Sequence, residues 1–233
     1  MARRPTRLLF VAHPDDESLF FATVMLRFHR SLHVVCVTDG DADGEKVLRQ
    51  DEFHTAMRAF GVESFEWWNE PDHYPTRLSV ARLTQRMRAM RGDQWTGRPR
   101  LQAVYTHGPL GEYGHPHHQD VSRAAHEVFD GICPVYSPAY NVEPDLVYRL
   151  SRRELALKRD VVARVYFSET RKFLNLLPVA SGEGFVKMRL SEVRALHDFF
   201  AAEKPLDAAA LHRTRWLMEI LPDVRARMKI RAF

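Results

Sequence analysis

LLFVAHPDDESLFFATVMLRF, residues 8–28, decides the fold class. Its first five residues, Leu8 to Ala12, are continuously apolar, which is the composition of a strand covered on both faces. His13-Pro14-Asp15-Asp16-Glu17 then interrupts the run, and Leu19, Phe20, Thr23, Val24 and Phe28 follow at helical spacing. The stretch predicts a strand, a turn and a helix, with a histidine and three carboxylates at the turn.

The same unit recurs outward along the chain. Residues 33–38 are β-branched and apolar, Asp39-Gly40 breaks them, and residues 47–60 are helical in spacing up to Gly61. A third strand is expected at 65–68 with a helix over 79–90, and a fourth strand at 101–106 with a helix over 117–129. Strands alternating with helices imply right-handed crossovers, hence an α/β fold: a Rossmann-like, mostly parallel sheet with helices on both faces. After Cys133 the rhythm weakens. Pro134, Pro138 and Pro144 mark irregular chain, 146–150 reads as a strand, 153–166 as an amphipathic helix, and 192–201 and 206–221 as helices, the last closed by Pro222. No linker or repeat divides the chain, so residues 1–233 are read as one α/β domain, with 134–233 packing on the sheet and shaping the site opening.

Composition excludes several classes. The chain is 45% hydrophobic and 27% charged, and no apolar run approaches the roughly 18 to 20 residues that span a bilayer. The start MARRPTRLLFVAHPDDE is basic and then apolar, but Leu8 to Ala12 is too short for a leader's apolar region and ends in charge, so a cytoplasmic location is expected. Cys36 and Cys133 are far apart, which suggests neither a disulfide framework nor a thiolate zinc site. The net charge of +4 includes Arg225, Arg227, Lys229 and Arg231, read as a solvated tail; no nucleic-acid motif accompanies them.

Three polar clusters fall at strand ends, where open parallel sheets bind ligands. They are residues 13–17, 38–41 and 107–118. In THGPLGEYGHPHHQD, residues 106–120, His115 and His118 stand three apart at a helix start, Pro116 suits a first helical turn, and the glycines permit tight backbone paths. His13 and Asp16 are also three apart, so two imidazoles and a carboxylate can converge from two strand ends. Two His and one carboxylate make a catalytic zinc pattern with open positions. The competing reading, Asp15 or Asp16 as a plain helix cap, fits either cluster alone and not the pair. Residues 39–50 match the first half of a calcium loop through Asp39, Asp41, Asp43 and Gly44, but Gln50 stands where a bidentate Glu is required. Trp67, Trp68, His73 and Tyr74 read as core aromatics or as a sugar platform.

Ala12-His13-Pro14-Asp15-Asp16-Glu17, followed by Gly114-His115-Pro116-His117-His118, resembles the zinc-dependent de-N-acetylase family that includes the glycosylphosphatidylinositol-pathway, mycothiol and bacillithiol deacetylases. Arg49, Glu52 and Tyr113 also match family positions, the order of elements agrees to about residue 130, and residues 158–168 are similar to a late helix and serine-containing turn. The resemblance implies His13, Asp16 and His118 as metal ligands, with zinc as cofactor and iron the alternative. It implies Asp15 as the base that deprotonates the attacking water, His115 as the group that assists the tetrahedral intermediate and protonates the amine, and Tyr113 as a tyrosine near the oxyanion. Arg49, Asp39 and His107 are placed at the substrate. The expected activity is N-deacylation, chiefly N-deacetylation, of an amino sugar or related small molecule. An amidase on a larger conjugate and a non-catalytic metal or sugar binder are the alternatives, and a homo-oligomer is left open. One position departs: the family usually carries Asp where this chain has His117. That change is expected to lower the pKa of His115 unless Glu112 or Asp120 replaces the missing carboxylate, and it makes His117 a rival ligand.

Overall fold

The computed structural model describes residues 5–95, 101–173 and 179–228. In chain order these form β1 (Arg7–Val11), α1 (Asp16–Phe20), α2 (Ala22–Phe28), β2 (Leu32–Thr38), α3 (Lys46–Phe60), β3 (Ser64–Glu70), α4 (Val80–Trp95), β4 (Ala103–Thr106), α5 (Pro116–Phe129), β5 (Val135–Pro138), β6 (Leu146–Arg149) and α6 (Arg152–Asp160). A π-helical turn (Val161–Val165), α7 (Phe167–Thr170), β7 (Gly182–Lys187), α8 (Leu190–Ala201), a 3-10 turn (Arg215–Leu217) and α9 (Leu221–Met228) complete them.

One seven-stranded sheet runs β3-β2-β1-β4-β5-β7-β6. The first five strands are parallel, and β7 lies antiparallel to both β5 and β6. Alternation along β1 divides its side chains between two cores. Leu9 and Val11 pack with Phe21, Met25, Phe53, Phe60 and Val161, while Leu8 and Phe10 pack with Leu83, Met87, Val121 and Phe129. Helices therefore cover both faces, as the unbroken apolar run requires. Each of these β1 side chains is 0–1% exposed, and full burial of such a side chain is worth roughly 1.5–3 kcal/mol. A one-residue slip would reverse both sets, so the register of β1, and with it the position of His13, is held firmly.

The second half departs from the expectations in four places. Residues 134–233 do more than pack on the sheet, because β5, β6 and β7 are three of its strands. Residues 206–220 do not form a helix: they are irregular chain, turns and the 3-10 turn, and Pro222 lies in the first turn of α9 instead of closing its predecessor, since a first helical turn has no use for the missing N–H. The helix expected over 153–166 loosens after Asp160, where Tyr166 N–H bonds to Val161 O at 3.1 Å, a five-residue step. Arg225 is not a solvated residue: it lies on α9, 4.0 Å over the Phe199 ring, and donates to the Phe199 carbonyl at 3.1 Å. Lys229 and Arg231 lie outside the described residues.

Candidate metal centre

β1 and β4 are neighbours, yet the chain leaves β1 for β2 on one side and returns to β4 on the other. This switch point opens a crevice at the strand ends, and the loops after β1 and β4 meet in it. Gly111, at φ 73°, makes the second loop tight: a Cβ there would stand 2.4 Å from the His115 carbonyl oxygen.

His13, Asp16 and His118 come together, each offering a ligand atom within 4.8 Å of the others. His13 Nδ1 is 3.2 Å from His118 Nε2, and Asp16 lies 3.4 Å from the first and 3.3 Å from the second. Two further hydrogen bonds hold the group. Glu112 Oε2 accepts from His118 Nδ1 at 2.6 Å, and Asp16 Oδ2 accepts from the His13 backbone N–H at 2.7 Å. Burial pushes the Asp16 carboxyl up, but the His118 and His107 imidazoles outweigh it and leave it well below the usual range. Glu112 follows the same logic, burial opposed by His107 and His118, and drops to about 2.

Asp15 stands beside this group at φ 113°, a conformation that costs a non-glycine residue about 1–3 kcal/mol. It occupies the position before α1 but makes no side-chain cap, so the plain capping role is not what it does. Its carboxylate is 3.3 Å from Arg49 Nη2. Burial raises its pKa well above the usual value, with Arg49 opposing.

The sequence profile of the family described as "PIG-L: GlcNAc-PI de-N-acetylase" matches residues 8–129 of the 233, just over half of the chain. The chain belongs to this family. A Kineococcus radiotolerans protein named 1D-myo-inositol 2-acetamido-2-deoxy-alpha-D-glucopyranoside deacetylase is 30% identical over 158 residues, 52% of this chain and 44% of that one. This chain spans less than half the length of the curated relatives it matches. Among solved structures, the N,N'-diacetylchitobiose deacetylase of Pyrococcus horikoshii superposes with a TM-score of 0.57 at 18% identity, over 79% of this chain and 84% of that one. A deacetylase–teicoplanin complex gives 0.58 at 14% identity, over 78% and 99%. These likenesses show that the chain shares the α/β fold of those solved deacetylases.

The remaining expected residues divide in two. Tyr113 and His115 are at the cluster: Tyr113 is 41% exposed with its ring 5.3 Å from the His118 ring, and the His115 ring is 4.5 Å from that of His13. The three residues placed at the substrate are engaged with the protein instead. His107 is 0% exposed, accepts from the Ala12 N–H through Nε2 at 2.9 Å and reaches Glu112 through Nδ1 at 2.9 Å, so it is buried beside the His13–Asp16–His118 cluster. Asp39 accepts from the backbone N–H of Asp72 at 3.0 Å and of Asp41 at 3.2 Å, fastening two loops. Arg49 is buried, with Nη1 on Glu52 at 3.1 Å and Nη2 shared by Asp15 and the Pro14 carbonyl. It grips the Asp15 loop, and is neither a surface ion pair nor an open anion fork.

Glu112 and Asp120 do not replace the missing carboxylate beside His115. Glu112 serves His107 and His118, while Asp120 takes Arg77 Nη2 at 2.7 Å and His197 Nε2 at 2.8 Å. His115 Nδ1 accepts from the His117 N–H at 3.2 Å, and burial together with His13, His118 and His117 holds its pKa well below the usual value. Sequence reasoning missed three supports. Tyr166 donates to Glu17 at 2.7 Å, Glu17 accepts from the Asp15 N–H at 3.1 Å, and Ser168 donates to Glu52 at 2.5 Å. The likeness of 158–168 to a family turn was the available signal, without a partner to attach it to. Of the aromatics, Trp68 belongs to the core, whereas Tyr74 has its ring 5.7 Å from that of His115. The acidic loop is closed by an ammonium: Lys172 Nζ lies 2.6 Å from Asp43, 3.1 Å from Glu45 and 3.1 Å from Glu169.

Proposed function

We propose that the protein is a metal-dependent hydrolase that removes an N-acyl group, acetyl foremost, from an amino sugar or related small molecule. The observation that carries this reading is the convergence of His13 Nδ1, Asp16 and His118 Nε2 beside a buried, strained Asp15. Two imidazole nitrogens and one carboxylate suit zinc, with iron the alternative, and Glu112 on the outer nitrogen of His118 is the partner a ligating His commonly takes. His13, Asp16 and His118 would hold the metal. When bound, it supplies Lewis acidity, polarising the amide carbonyl and making water acidic enough to attack near neutral pH.

The chain's own groups account for the proton movements. Asp15, with its raised affinity for a proton, takes one from the attacking water and returns it to the departing amine, so one carboxyl serves as base and then acid. His115 is neutral, with Nδ1 accepting from the backbone, so its proton sits on Nε2 and is offered as a hydrogen bond to the developing oxyanion. Tyr113 is the second donor for that charge. In this reading Asp15 delivers the proton to the amine, a role that the family resemblance gives to His115.

The test is metal content followed by acetate release from a panel of N-acetylated amino sugars. Asp15→Asn is expected to retain metal and lose about 10²–10⁴-fold in kcat. Absence of both bound metal and turnover on every amide would sink the proposal. A rate governed by the size of the amine portion and indifferent to the acetyl group identifies an amidase of larger conjugates instead.

A further inference from the structure

His117 has one hydrogen-bonding direction that is unambiguous. Its Nε2 lies 2.8 Å from the Thr76 carbonyl oxygen, and a carbonyl only accepts, so Nε2 carries the proton. Nδ1 of the neutral ring is then a lone pair, and it stands 3.0 Å from His13 Nε2. It accepts the His13 proton, which leaves His13 Nδ1 as a lone pair facing Asp16 and His118 Nε2. On the opposite side, Glu112 fixes His118 in the complementary tautomer by taking its Nδ1–H. We infer that His117 is a positioning residue for the metal: it relays the polarity of the Thr76 carbonyl through its ring and sets His13 in the tautomer that can ligate through Nδ1. This rests on His13, Asp16 and His118 being the ligands.

The surroundings favour the relay over the rival role of His117 as a ligand. The ring is 0% exposed, so water does not compete for either nitrogen. Asp72 Oδ1 is the other acceptor nearby, 3.4 Å from His117 Nδ1 and 3.8 Å from His13 Nε2, farther from each than they are from one another. The carbonyl that starts the relay is clamped to the helix that carries His117. Arg77, the next residue, forks onto Asp120 Oδ1 at 2.7 and 3.0 Å and onto Gln119 Oε1 at 3.1 Å, and the Leu78 N–H reaches Asp120 Oδ2 at 3.0 Å. Ligating histidines commonly give their second N–H to a carboxylate or carbonyl. Here a second imidazole stands between the ligand and its carbonyl.

The two nitrogens can be separated by substitution. His117→Asn sets a carbonyl oxygen where Nδ1 stands and abandons Thr76; His117→Gln keeps a donor for Thr76 and offers nothing to His13. Metal-free full-length protein is titrated with zinc against a competing chelator, and cobalt-loaded samples are compared by their visible spectra. Expected are a zinc Kd within about threefold of the original protein for His117→Asn, with an unchanged cobalt spectrum, and a Kd weakened about 10–100-fold for His117→Gln. Equal losses in the two variants, or none in His117→Gln, overturn the relay. So does a cobalt spectrum altered in His117→Asn, which marks His117 as a ligand. Should circular dichroism show His117→Gln unfolded, His117→Asn decides alone: retained affinity supports the relay and a loss of about tenfold or more ends it. Failure of the original protein to bind zinc sinks the ligand assignment instead, a result distinct from every variant outcome.

Discussion

His126 on α5 is fully buried, with Nδ1 donating to the Ser122 carbonyl at 2.8 Å, and burial lowers its pKa from 6.5. The folded protein therefore keeps it neutral while the unfolded chain takes up a proton below about 6.5. Its contribution to stability is complete above that pH and falls as the pH is lowered towards its folded value. Thermal melts of the metal-free protein between about pH 7.5 and pH 5.5 are expected to show a declining Tm, and His126→Leu to flatten the decline. An unchanged slope in the variant would assign the acid sensitivity elsewhere. At this scale the sequence was most informative where chemistry names a partner in advance. His13, Asp16 and His118 belong to a donor set and were found together, whereas Arg49, Asp39 and His107 each divide their bonds between a near neighbour, Glu52, Asp41 and Glu112, and a partner far along the chain, Asp15, Asp72 and Ala12. Glu112 was legible as a carboxylate near the second motif, but which histidine it serves depends on a loop path set by Gly111 and by its own φ of 52°.

α2 is anchored by a residue 160 positions away: Glu183 of β7 accepts from the Thr23 N–H at 2.9 Å and from its hydroxyl at 2.6 Å. The other oxygen of Glu183 is 2.7 Å from the buried Lys158 ammonium, which also donates to the Leu19 carbonyl at 2.8 Å. This ion pair ties β7, α6 and the break between α1 and α2. Removing one partner strands the other charge in the core, so Glu183→Ala is expected to lose about 3–5 kcal/mol in denaturant unfolding. The more exposed Lys172→Ala, by contrast, should lose no more than about 1 kcal/mol. Comparable losses in the two would show that burial is not what gives the Glu183 pair its weight. Strong periodicity made α5 legible from spacing alone, and α3 was legible from its helical spacing and Gly61 stop despite a weak apolar stripe that leaves Val47 and Leu48 exposed. β5 and β7 were not: β5 is short and bracketed by prolines, β7 carries Gly182 and Gly184 and a single β-branched residue, and their pairing with β4 and β6 supplies the order that their sequences lack. Residues 206–221 failed in the opposite direction, because helical spacing there is satisfied by packing Leu211, Leu217 and Leu221 against α8 without a helix.

Across the whole molecule, the proposed ligands sit on the loop after β1 and in the first turns of α1 and α5, the helices that follow β1 and β4, so a metal would link two halves of the sheet order. Binding to the folded state alone stabilises it by mass action, about 2.7 kcal/mol at a metal concentration one hundred times Kd. A chelator is accordingly expected to lower Tm, and Asp16→Ala to abolish the difference between metal-loaded and chelated samples; equal Tm values with and without metal in the original protein would count against a site at this junction. The sequence by itself determined the α/β class, the strand ends that carry the site and the residues of the donor set, because unbroken apolar strands, helical spacing and paired motifs are local properties of the chain. Tertiary structure alone decided which nitrogen of each histidine faces inward, that Arg49 grips Asp15, that His117 stands behind His13, and that the last three strands complete the sheet. Those outcomes depend on partners brought from distant loops into a buried space, where a polar atom left without a hydrogen bond is costly.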